Sequence, residues 1–114
     1  MRKLNLTNYT VKKRVPDPMK VGEMIEHEAI YLAKDSILNV MFTSELQLNG
    51  AELVRQNAVA LKIEACKDDF ILLEEDEFAR IKRAFDVAKG FGRKEVQLVE
   101  RINNTEVVEV GEKT

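Results

Sequence analysis

The side chains best suited to chemistry are scarce in this chain. Cys66 is its only cysteine and His27 its only histidine, which removes intramolecular disulfides, cysteine-rich zinc sites and two-histidine metal motifs. Cys66 stands next to Asp68 and Asp69, and neighbouring carboxylates disfavour the thiolate that a nucleophile needs. No serine sits in a Gly-x-Ser-x-Gly turn, and Gly90-Phe91-Gly92 lacks the further glycines and the Lys-Ser/Thr pair of a phosphate-binding loop. Carboxylates remain. Glu74-Glu75-Asp76-Glu77 offers four in a row, where an acid–base pair or a divalent-ion site would be sought, but no second cluster follows at motif spacing. A helix N-terminus accounts for the run, because the macrodipole favours negative charge there by a few tenths of a kcal/mol per residue. The expectation is a chain without catalytic residues, metal or cofactor.

Cations are the other candidates. Arg80, Lys82, Arg83, Lys89, Arg93 and Lys94 stand against Asp86 alone, beside Phe91 and two glycines, which is what phosphate contact at a helix start would need. A helix-turn-helix places Ala88 and Gly92 acceptably but fails elsewhere. Gly90 falls inside its first helix, Arg93 and Arg101 take positions that should be buried, and Glu95 and Glu100 would face phosphates. Arg80, Arg83, Lys89, Arg93 and Lys94 therefore carry only the alternative reading, a nucleic-acid-binding accessory protein. The net charge of -2 supplies no global field for such a partner.

The elements that must position these residues form one domain over 1–104, with 105–114 as a tail. A chain of 114 residues, 45% hydrophobic and 33% charged, is too short for two domains. Leu4 to Val15 reads as a strand whose apolar phase changes near Thr7-Asn8, where a bulge would reconcile the halves. Pro16-Asp17-Pro18 and Gly22 make a loop before a second strand from Met24 to Leu32, so the pair reads as a long-loop hairpin. Six of the first twenty residues are cationic against Asp17 alone, a local +5. Pairing Lys12 with Glu28 and Arg14 with Glu26 balances much of that charge and puts Val15, Val11 and Tyr9 opposite Ile25, Ala29 and Tyr31. The same register is read as placing His27 beside Lys13 and opposite Val11, as a half-buried strand residue.

Asp35-Ser36 caps a short helix to Phe42 that is apolar nearly all round. Asn49, with Glu52 three residues on, opens a helix to about Cys66 whose buried stripe is read as Leu53/Val54, Ala58, Leu61 and Ala65, widened by Val59 and Ile63. Phe70 to Leu73 reads as a buried strand. Phe78, Ile81, Phe85 and Ala88 stripe a third helix that stops near Lys89, with Phe91 as a core anchor. Arg93 to Ile102 is a fourth helix with Val96, Leu98, Val99 and Ile102 inward. In the tail, Val107, Val108 and Val110 add an edge strand before Gly111 to Thr114 fray. The fold class is α+β: an N-terminal antiparallel hairpin, with a third short strand as an option, on three to four helices.

Four segments carry a resemblance over most of the chain: Leu4 to Val11, Val15-Pro16-Asp17-Pro18-Met19, Leu48 to Leu53, and Gly90 to Val99. Together they resemble small proteins of tailed bacteriophages and prophages. The resemblance implies a viral setting, in the cytoplasm of a bacterial host or in the virion, and an assembly accessory, adaptor or regulator that binds protein. The unpaired cysteine and the lack of an apolar run near 18 residues likewise favour a reducing compartment with no membrane partner. The surface expected to bind a protein partner, a second copy included, comprises Met19 in the loop, Val40, Met41 and Phe42 on the first helix, and Val107, Val108 and Val110 in the tail.

Overall fold

The strand character at the N-terminus resolves into two strands that belong to different sheets. In the computed structural model, which describes residues 1–108, β1 spans Arg2–Asn5 and β2 spans Tyr9–Pro16. The change of apolar phase between them is a turn rather than a bulge. Asn5 Oδ1 accepts from the Thr7 amide at 2.8 Å and from the Thr7 hydroxyl at 2.6 Å, and this side-chain turn redirects the chain. Val110 lies outside the described residues.

β1 is the centre of a three-stranded antiparallel sheet, between β4 (Phe70–Leu73) and β5 (Glu106–Val107). Leu4 faces Ile71 and Arg2 faces Leu73, and Leu4, Ile71 and Leu73 are all buried. Phe70 and Leu72 point the other way and are substantially exposed, with the Lys3 ammonium 4.5 Å from the Phe70 ring centroid. β4 is thus a half-buried strand, not the fully buried one its apolar run suggests, because only one face of this antiparallel sheet is covered. The tail does add an edge strand, and Val107 pairs with Arg2.

Helices α1 (Ala33–Val40), α2 (Gly50–Ala65), α3 (Glu75–Val87) and α4 (Val96–Asn103) supply the rest of the core. Ile37 and Met41, Ile63, Ile81 and Phe85, and Leu98 and Ile102 join Leu4, Ile71 and Leu73 in one cluster. α1 starts earlier than its Asp35-Ser36 signal. Its Ala33 amide donates to Asn8 Oδ1 at 3.0 Å, a cap supplied from 25 positions away in sequence. α2 starts where its signal says, the Glu52 amide donating to Asn49 Oδ1 at 2.9 Å.

α2 buries Val59 and Ile63, the residues expected to widen its stripe, but turns the centre of that stripe outward. Gln56, Val59, Ala60 and Ile63 are buried, whereas Val54 is 70% and Leu61 55% exposed. Gln56 makes this rotation tolerable, because its Nε2 donates to the Met41 carbonyl at 2.8 Å where α1 ends. In α3 the acidic run caps the helix: Glu77 Oε1 accepts from the Glu74 amide at 2.8 Å and from Lys62 Nζ at 2.8 Å. Burial pushes the Glu77 carboxyl up, but these two donors more than offset that and leave it below the usual glutamate range. After α3 the chain passes Gly90, whose φ of +88° lies in the left-handed region that glycine tolerates, and Phe91 stacks on Phe85 at 5.8 Å. Val96, expected inward on α4, is instead half exposed beside the buried Leu98 and Ile102.

Candidate interaction surface

β2 and β3 (Met24–Tyr31) form a separate two-stranded sheet. Their register has Lys12 opposite Glu28, Arg14 opposite Glu26, Val15 opposite Ile25, Val11 opposite Ala29 and Tyr9 opposite Tyr31. Opposite charges on the two strands thus face each other as their sequence predicts, with one correction. His27 stands opposite Lys13, not Val11, and it is exposed. Pleat alternation puts Thr10, Lys12, Arg14, Glu26, Glu28 and Ile30 on one face, and Tyr9, Val11, Val15, Ile25, His27, Ala29 and Tyr31 on the other, with Lys13 at the register position opposite His27.

Among the described residues the ribbon is fixed to the body at its base. Tyr9 and Tyr31 stack with centroids 4.8 Å apart, the Tyr9 hydroxyl donates to the Lys94 carbonyl at 2.9 Å, and the Arg101 guanidinium lies 5.3 Å from the Tyr9 ring centroid. Beyond this base the ribbon is bare. Met24 through Glu28 are exposed on both faces and Ile30 is 70% exposed. At the tip, the Met19 amide donates to Asp17 Oδ1 at 2.8 Å, the Asp17 amide donates to the Glu23 carbonyl at 2.8 Å, and Gly22 takes a φ of +84°. Met19 and Val21 project from that loop into solvent.

The residues expected to bind protein are not gathered into one patch. Met19 is at the ribbon tip, Phe42 follows α1, and Val107 is on β5. Met41 is fully buried, held in the core where its carbonyl receives Gln56, so its side chain cannot meet a partner. Val40 is half-buried against the same core. Phe42 borders a shallow depression with Leu48 and Leu53, while Val108 borders an open groove of about 560 Å³ with Lys3, Phe70 and Arg101. The Val108 amide donates to the Met1 carbonyl at 2.7 Å, which fastens the described end of the tail.

The basic segment is also dispersed. Arg80 pairs with Glu52 at 2.9 Å between α3 and α2, and Lys82 pairs with Asp86 at 2.7 Å along α3. Arg83 and Lys89 are exposed. Only Arg93 and Lys94 share a cleft, lined also by Tyr9, Val11, Lys12 and Glu100 where the ribbon meets α4. Arg101 serves the fold: it donates to the Thr7 carbonyl at 2.6 Å and the Asn5 carbonyl at 3.3 Å. At the N-terminus, Arg2 pairs with Glu75 at 3.1 Å, donates to the Thr105 carbonyl at 2.9 Å and lies over the Phe78 ring.

Among the described residues, no group of three or more His, Cys, Asp or Glu side chains is placed to hold a metal ion, and no buried side-chain polar atom lacks a partner. No helix there is long and apolar enough to cross a membrane. Comparison with protein-family models, curated proteins and solved structures finds no match to this chain.

Two surfaces were missed by the sequence reading. One is the ribbon below its tip, with Met24, Ile25 and Ile30; the loop from Pro16 to Gly22 was expected to bind protein and the hairpin was legible, but its distance from the body was not. The other is the outward stripe of α2, Val54, Ala58, Leu61 and Ala65, whose spacing was read as a core signal.

Proposed function

We propose that this chain is a non-enzymatic protein-binding module, an accessory or assembly protein of a phage or prophage, which engages its partner through the β2–β3 ribbon. One observation carries the reading: beyond its Tyr9–Tyr31 base the ribbon leaves the body, and β3 is exposed on both faces from Met24 through Glu28. A two-stranded hairpin is marginally stable alone in water, and exposed edge strands are templates for pairing that proteins normally cover or blunt. A chain that extends such an element, with Met19 and Val21 at its tip and Ile25 and Ile30 along it, has an element shaped for a docking partner. Its place of action, on this reading, is the bacterial cytoplasm or the virion.

Position-specific photocrosslinking in cells that produce the protein tests this. Photoreactive side chains in place of Val21 or Ile25 are expected to give discrete protein adducts, while the same group in place of exposed Lys67 on the body gives none. Adducts of equal yield from all three positions, or none from the ribbon, would overturn the reading.

A further inference from the structure

Resting on the ribbon as the docking element, we infer that its occupant is a second copy of this chain, and that β2 of one copy pairs edge-to-edge with β3 of the next. The two strands differ in charge. β2 holds Lys12, Lys13 and Arg14 and no acid, whereas β3 holds Glu26 and Glu28 and no Lys or Arg. Among the described residues neither strand has a further neighbour, so each presents an outer edge of backbone donors and acceptors.

Charge decides which edges meet. A two-fold β3–β3 contact centred at Glu26, His27 or Glu28 sets carboxylate against carboxylate, and a β2–β2 contact centred at Lys13 sets Lys12 against Arg14. Like charges directly opposite each other disfavour strand pairing. An antiparallel β2–β3 contact between copies repeats the pairing already present inside the ribbon, Lys12 with Glu28 and Arg14 with Glu26. Each cationic row then lies between two acidic rows. On the opposite face, Val11 with Ala29 and Val15 with Ile25 of successive copies line up as two apolar rows, with the register row of Lys13 and His27 between them.

Such a contact is head-to-tail. Every added copy leaves one β2 edge and one β3 edge free, so the assembly grows until it closes into a ring or extends as a filament, and it does not stop at two. Salt weakens it, because the charged rows are exposed.

The test uses the full chain and a charge-exchanged variant, Lys12→Glu, Arg14→Glu, Glu26→Lys, Glu28→Lys, in which opposite charges still face each other within each ribbon. Masses are read by light scattering at low salt, and mixed assemblies by native mass spectrometry of isotope-labelled wild type with unlabelled variant. The expected result is that each protein alone exceeds twice 13.1 kDa, that these masses fall as salt is raised, and that the two do not co-assemble. Contact between like edges predicts the reverse: preferential co-assembly and a stop at two chains. Either of those outcomes overturns the inference, and so does a wild-type mass that stays at 13.1 kDa at high concentration and low salt. In that last case, persistent ribbon adducts to other proteins would leave the docking role intact. The double exchange Lys12→Glu/Glu28→Lys is read in the same way should the fourfold variant not fold.

Discussion

Tyr9 is the residue on which the ribbon's attachment turns. Burial, and then the proximity of Tyr31, pushes the Tyr9 phenol up to about 12 from its ordinary 10.0, and burial pushes Tyr31 up as well. A phenol with a raised value holds its proton more tightly folded than unfolded. Its contribution to stability is therefore whole below pH 10 and is lost as pH rises from about 10 toward 12. The melting temperature should fall across that window, and Tyr9→Phe should show a smaller fall than wild type; an identical fall in both would contradict the assignment. The cross-strand pairing of Tyr9 with Tyr31 was legible in the sequence, because period-two alternation and the Lys12 and Arg14 charges fix one register. The Lys94 carbonyl and the Arg101 guanidinium that complete the anchor were not legible. They come from a segment about ninety residues away, and no local spacing encodes that meeting.

At the scale of elements, α2 shows where periodicity runs out. Apolar residues recur at helical spacing on two of its faces: Val54, Ala58, Leu61 and Ala65 on one, and Val59, Ala60 and Ile63 on the other. The inward face includes a glutamine, so hydrophobicity alone admits both faces and centres the stripe on the wrong one. The Met41 carbonyl, brought there by tertiary packing, reverses the choice by giving Gln56 a partner. By contrast Asn49, the Glu74–Glu77 run and Gly90 were legible as helix punctuation, since caps are short-range chemistry. The orientation of α2 gives a direct test by denaturant unfolding. Leu61→Lys should change stability by no more than about 0.5 kcal/mol, while Ile63→Ala, two positions on, should cost about 2–5 kcal/mol. Equal losses would place Leu61 in the core.

The whole molecule is too extended for its length. Its radius of gyration is 17.1 Å and its extents are 63 × 35 × 22 Å, whereas a compact chain of this size has a radius of gyration of about 13 Å. Strands of eight residues reach about 27 Å, so a ribbon held at one end is long enough to extend the molecule well past a compact body. Sequence carries the hairpin and its register but not this distance, because the same alternating pattern would serve a hairpin lying flat on a core. The claim beneath the proposed role is that the outer ribbon serves a partner and not the fold. Replacing residues 12–28 by an Asn-Gly turn between Val11 and Ala29 keeps the Tyr9–Tyr31 anchor and removes everything beyond it. The thermal melt of that shortened chain is the most direct test: a single cooperative transition within about 1 kcal/mol of the full-length protein at matched dilution is expected, and a chain that fails to fold, or loses several times that stability, would contradict the account.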